Sequence, residues 1–287
     1  MDYILLVISI AACLTATLQK NSFSKGKAKN TSDMHMFNLL GSTVCAVLFL
    51  LLALFSGGVS TYTVILGIIF GVVTAFSAVF SLQAFKKGPA SYTNLLIMSS
   101  MILPALSGAV LFNEALSVTK IIGIVLMLIA ITLSVLNKNE DKKASLGWLT
   151  LSLSAALCVG VVGILQKVHQ SSPAKDELMW FLCIAFTVSA SFSVLYVLLN
   201  RSSSVSISLD RHTLLFTLGY GVAVMLNNAI NLYLSGVMQS AIFFPTVNGA
   251  NIVLLLIVSL VFLKERLRKL QWFGIAAGFI AIMWLCI

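Results

Sequence analysis

Five asparagines carry the densest polar chemistry in the chain. Asn227, Asn228 and Asn231 fall inside one long apolar run, and Asn248 and Asn251 inside the next. Asn227 and Asn231 are one helical turn apart and Asn248 and Asn251 three residues apart, so each pair shares a helix face. A carboxamide offers two donors and a carbonyl acceptor. In hydrocarbon these groups are costly unless they bond to each other, to backbone, to water or to a ligand. Two readings follow: a set of clamps between helices, or the wall of a cavity in which amides replace the hydration shell of a polar solute. Pro245, near the start of the second run, implies irregular backbone beside the amides and favours the cavity. Asn94 and Ser99 add polar groups in an earlier run, where Pro104 withdraws the hydrogen bond owed to the Ser100 carbonyl and predicts a kink or break. Tyr233 and Phe244 supply aromatic surface. The candidate substrate-binding set is therefore Asn94, Ser99, Asn227, Asn228, Asn231, Tyr233, Phe244, Asn248 and Asn251, with Pro104 and Pro245 as hinges.

The charged inventory excludes other chemistry. The nine acids are Asp2, Asp33, Glu114, Glu140, Asp141, Asp176, Glu177, Asp210 and Glu265, and none lies in the middle of an apolar run. His35, His169 and His212 sit at run edges. The five cysteines show no metal-ligand spacing and read as small packing residues. No nucleophile with its base, no acid pair at depth and no metal cluster is present, so the sequence predicts neither an enzyme, a metal site nor a cofactor.

These residues need helices to position them. The chain of 287 residues is 59% hydrophobic and 9% charged, with a mean hydropathy of +1.04, against roughly 25% charged residues in an ordinary soluble domain. Spanning a bilayer takes about 20 apolar residues. The apolar runs predict ten spans at 3–19, 34–56, 62–84, 91–112, 118–136, 146–166, 177–199, 213–235, 240–263 and 270–287. The runs are uninterrupted, which argues against barrel strands. Fifteen of the 18 basic residues fall in the connections after odd-numbered spans. That bias places those connections in the cytoplasm and both termini outside, and it accounts for the formal charge of +9 without nucleic acid.

The chain also repeats itself. Aligning Glu114 with Glu265 brings Leu116 onto Leu267, Gly123 onto Gly274, and Ile129-Ala130-Ile131 onto Ile280-Ala281-Ile282. Gln19-Lys20 closes the first span and Gln166-Lys167 the sixth. These four residues are read as a cavity mouth, against the alternative of lysines snorkelling to the interface. Glu114 and Glu265 are read as structural acids at helix ends, with Lys120 available to the first and Lys264, Arg266 or Arg268 to the second. The expected fold is an all-α polytopic membrane protein of ten transmembrane helices in two inverted five-helix repeats: residues 1–136, a cytoplasmic linker 137–145, and residues 146–287.

The repeat, the ten spans and the paired terminal pattern Glu114…Gly123 and Glu265…Gly274 resemble EamA-type members of the drug/metabolite transporter superfamily. The resemblance implies a central cavity lined by spans 1, 3, 4, 6, 8 and 9, worked by alternating access. The superfamily's small multidrug exporters use a membrane-embedded glutamate for proton exchange, and no acid holds that position here. The expected function is transport of a small polar solute, neutral or zwitterionic and amino-acid-like, by a monomer in the plasma membrane, such as a bacterial inner membrane. Its partners are the substrate and the lipid bilayer. Were the substrate an anion, Lys20 and Lys167 would be its counter-charges. The alternatives are a lipid or lipid-linked sugar flippase of the same fold and a non-transporting assembly subunit.

Overall fold

The computed structural model describes residues 2–88, 90–135, 145–199, 211–262 and 269–285. Glu265 with its candidate partners Lys264, Arg266 and Arg268, the linker residues 137–144 and Cys286 lie outside the described residues. The elements are α1 (Asp2–Gly26), α2 (Thr31–Ala53), α3 (Thr61–Lys87), α4 (Ala90–Met98), α5 (Ile102–Phe112), α6 (Val118–Val135), α7 (Leu146–Gln170), α8 (Leu178–Leu199), α9 (Arg211–Val237), α10 (Ser240–Phe262) and α11 (Lys269–Leu285). Short 3₁₀ turns at Ser99–Met101 and Lys175–Glu177 precede α5 and α8. No strand occurs among the described residues. Among the described residues, six helices are long and apolar enough to cross a membrane, and three shorter apolar stretches accompany them, Leu96–Phe112, Val118–Ala130 and Ser240–Leu255.

Local chemistry sets the helix ends. Asn30 caps α2 in a reciprocal box with Asp33, and Ser60 and Ser145 accept from Thr63 N and Trp148 N to start α3 and α7. Asn113 ends α5 in the left-handed region (φ 54°, ψ 29°), the conformation that asparagine tolerates best after glycine. The expected break before Pro104 is present as the 3₁₀ turn Ser99–Met101. Pro245 behaves differently from expectation, because α10 runs unbroken through it. It stands at the sixth residue of the helix, so one carbonyl, that of Ala241, is left without its in-helix donor and the helix continues.

α2 packs on α8 and α9, α3 on α7 and α8, α1 on α9 and α10, α5 on α7 and α10, and α6 on α11. The two halves of the chain are thus interleaved. Phe49, Phe70, Phe181 and Phe186 fill one apolar cluster, and Met101, Met127, Phe243 and Leu234 lie in another. Large apolar side chains also cover the outside, among them Ile4, Leu51, Val110, Leu195 and Leu215. For a soluble domain this surface would be a liability; against lipid it is the expected one.

Contacts between helices use small and polar residues, because lipid removes the hydrophobic drive for helices to associate. Asn38 Nδ2 donates to Ser189 Oγ at 3.2 Å and Ser193 Oγ at 2.9 Å, and Ser42 Oγ lies 3.2 Å from Ser189 Oγ, all buried between α2 and α8. Gly71 lies against the α8 backbone, where an added Cβ would sit 2.4 Å from the Ala185 carbonyl oxygen. Backbone cannot step aside as a flexible side chain can. Gly71→Ala is therefore expected to destabilise the folded protein by about 1–3 kcal/mol, read as a lower midpoint in thermal unfolding of detergent-purified protein. An unchanged midpoint would contradict the close α3–α8 approach.

Candidate functional site

The site is a central cavity of about 220 Å³. Its wall comes from α1, α3, the α4–α5 segment, α7, α9 and α10, the helices that correspond to spans 1, 3, 4, 6, 8 and 9. The 3₁₀ turn allows the α4–α5 segment to present side chains from both sides of its break, Asn94 from α4, Ser100 from the turn and Pro104 from α5. From α9 come Tyr220, Asn227, Asn228 and Asn231, and from α10 Phe243, Phe244 and Asn248. Thr17 and Lys20 face in from α1, and Gln166 from α7.

The asparagines divide by partner. Asn227 Nδ2 donates to the Ser9 carbonyl at 3.1 Å and to Ser9 Oγ at 3.2 Å, and Ser9 Oγ in turn donates to Asn231 Oδ1. These two amides line the cavity and also clamp α9 to α1. Asn228 Nδ2 donates within its own helix to the Val224 carbonyl at 2.9 Å. Asn248 makes no hydrogen bond among the described residues. Asn94 Oδ1 and Ser100 Oγ are buried, 3% and 5% exposed as residues, and without a partner. An unpaired acceptor or hydroxyl in a membrane interior costs about 1–3 kcal/mol by mutational measure, and both residues line the cavity.

Other expected site residues lie elsewhere. Asn251 is fully buried behind the wall, with its Nδ2 on Cys13 Sγ of α1, which makes it a clamp. Ser99 is off the wall because its hydroxyl turns back to the Leu96 carbonyl at 2.7 Å; Ser100 takes the inward position instead. Tyr233 is 41% exposed and is not part of the wall; α9 turns that side toward the outer surface. Each Gln-Lys pair contributes one member. Lys20 lines the cavity while Gln19 Nε2 donates to the Phe216 carbonyl at 3.3 Å. Gln166 lines it while Lys167 turns away. Sequence reasoning did not single out Tyr220 for the wall or Ser9 for the clamp; Ser9, a lone hydroxyl deep in the first apolar run, was the available signal.

Lys167 makes the one ion pair among the described residues. Its Nζ lies 2.6 Å from Glu114 Oε1, with side-chain exposures of 8% and 16%. Glu114 Oε2 accepts from the Ser240 backbone N–H at 2.7 Å, at the first turn of α10, and Lys167 Nζ also donates to the Met238 carbonyl at 3.2 Å. A carboxylate there complements the positive end of the helix. One knot thus joins the end of α5, the end of α7 and the α9–α10 turn. The expected partner Lys120 does not pair with Glu114; it donates instead to the Ala115 carbonyl and to Gln239 Oε1. The left-handed Asn113 reverses the chain so that Glu114 folds back over Gly108, where an added Cβ would meet Glu114 Oε2 at 2.4 Å.

The helices and their central polar cavity define an integral membrane protein. Residues 3–136 match the model of the EamA-like transporter family. No curated protein matches the chain. A solved crystal structure, described simply as that of a protein, superposes with a TM-score of 0.74 over 99% of this chain and 95% of that one at 16% identity. The likeness is one of fold.

Removing one member of a buried ion pair leaves a bare charge, at a typical cost of about 3–5 kcal/mol, whereas replacing both members by apolar groups is often near neutral. Glu114→Gln is expected to lower the unfolding midpoint clearly, and Glu114→Leu with Lys167→Met to recover most of the loss. Equal destabilisation by the single and double variants would show that the pair does not hold this end of the bundle.

Proposed function

We propose that the protein is an alternating-access secondary transporter for a small polar metabolite, neutral or zwitterionic and amino-acid-like. It works as a monomer in the plasma membrane, with ten spans in two inverted five-helix repeats, residues 1–136 and 146–287, joined by a cytoplasmic linker, and with both termini outside. The carrying observation is the set of unpaired polar groups facing one cavity, Asn94 Oδ1, Ser100 Oγ and Asn248, among aromatic and aliphatic neighbours. Binding sites have this composition, mostly apolar with a few convergent polar groups.

Direction of travel supports the inversion. Gln19 of α1 reaches Phe216 near the start of α9, whereas Lys167 of α7 reaches Met238 just past its end. At 1.5 Å per residue those two points lie about 33 Å apart along the helix, close to the thickness of a bilayer core. The corresponding helices α1 and α7 therefore finish at opposite ends of the bundle. The buried Lys167–Glu114 knot closes the end at which α7 finishes, which suits a carrier that opens one side at a time. Size favours a metabolite over a lipid-linked sugar, because about 220 Å³ lies below the roughly 300–1,000 Å³ of pockets for drug-sized ligands.

A thermal-shift panel of amino acids, amines, sugar phosphates and nucleotide sugars tests this reading, since a ligand that binds the native state raises its apparent stability. Asn248→Ala is expected to keep the unfolding midpoint of the empty protein and abolish the ligand shift. Asn231→Ala is expected to lower the midpoint itself, because loss of the Ser9 clamp costs about 1–2 kcal/mol of stability. Retention of the full shift in Asn248→Ala would remove the cavity from the account.

A further inference from the structure

Among the described residues, Lys20 is the only basic residue on the cavity wall, and no aspartate or glutamate lines it. Its counterpart Lys167 is neutralised by Glu114 at 2.6 Å, but no acid among the described residues pairs with Lys20. An ammonium inside a bilayer is normally paired, snorkels to water or serves a function. Nearby Lys27 is half-buried and donates to Thr213 Oγ1 at 3.1 Å, and Lys25 and Lys29 are exposed. Lys20 instead faces a cavity that already holds the unpaired Asn94 Oδ1 and Ser100 Oγ.

We propose that Lys20 is the counter-charge for a carboxylate on the cargo, so that the transported solute is a small monocarboxylate of the α-amino-acid type. The proposal rests on the transporter reading above and narrows it: a polar solute without an anionic group would leave the lysine unpaired. One available cation suits one negative charge. A phosphate ester, which carries nearly two, would need a second cation, and Lys167 is already committed. The remaining polar wall completes the match. Asn94 Oδ1 is an acceptor without a donor, placed to receive a cargo ammonium or hydroxyl, while Ser100 and Asn248 can donate or accept as the solute requires. Phe243, Phe244 and Val247 offer an apolar face for its side chain. A free amine is disfavoured because it would meet Lys20 with no acid to offset the repulsion.

The test compares isosteres on the purified full-length protein by thermal shift and by uptake into proteoliposomes. The probes are L-serine, L-methionine and L-phenylalanine, their carboxamides, the corresponding decarboxylated amines, and phosphoserine. Acids are expected to stabilise the wild type while their carboxamides and amines do not. Lys20→Gln should weaken acid binding by about tenfold or more, with Lys20→Arg recovering part of it. The empty Lys20→Gln protein should unfold no earlier than wild type, which separates lost binding from lost folding. If carboxamides or amines bind wild type and Lys20→Gln alike, the carboxylate assignment is wrong and the transporter reading survives. Preferential binding of phosphoserine would replace the monocarboxylate with a phosphate ester. Failure of every probe, with failure of the broader panel as well, would sink both the assignment and the cavity reading.

Discussion

Hydrocarbon supplies no hydrogen-bonding partner, and that constraint orders this whole molecule. Each polar side chain below the interface must find a partner within the protein or face an internal space where a solute or water can provide one. Helices satisfy the backbone, and the side chains then sort into two populations. One is paired: Asn38 with Ser189 and Ser193, Asn227 and Asn231 with Ser9, Asn251 with Cys13, and Lys167 with Glu114. Another group faces one cavity: Asn94 Oδ1 and Ser100 Oγ, which have no partner, with Asn248 and Lys20 beside them on the wall. Asn227 and Asn231 belong to both sets, since they line the cavity and clamp α9 to α1.

The same division explains what the sequence made legible. Hydropathy located the helices because lipid imposes long apolar runs, and the break before Pro104 followed from the missing N–H of a single residue. The helices around the cavity were also foreseen. Individual side chains were harder, because an amide inside an apolar run looks the same whether it meets another helix or a cavity. Asn248 and Asn251 lie three residues apart, yet one faces the cavity and the other reaches Cys13. Their fates depend on helix rotation, which packing against α1 sets and which spacing along one chain does not encode. Glu114 was similarly ambiguous. Its partner lay 53 positions away at Lys167 rather than six away at Lys120, since the left-handed turn at Asn113 directs the carboxylate toward the start of α10.

Two features of the bundle act at different depths. At one end, the Glu114 carboxylate gathers three backbone elements around a single buried charge pair. In the middle, the 3₁₀ turn at Ser99–Met101 divides a crossing segment whose two pieces both pack on α7 but are fixed by different polar contacts: α4 by Trp148 Nε1 donating to Thr93 Oγ1 at 2.8 Å, and α5 by the Glu114 knot at its end. A straight helix would transmit any tilt at one end to the other. The interrupted segment does not have to.

The charge balance of the wall has an electrical consequence. With protonated Lys20 and no acid on its wall among the described residues, the empty cavity would carry one positive charge. Under the proposed alternating access a cavity takes on the potential of the side to which it opens, and a unit charge that experiences the whole field is worth about 2.3 kcal/mol per 100 mV. An inside-negative membrane would therefore hold the empty carrier facing the cytoplasm. A zwitterion would leave that bias unchanged and a monoanion would cancel it, so the resting orientation of this protein would depend on the energy state of the cell before any solute arrives.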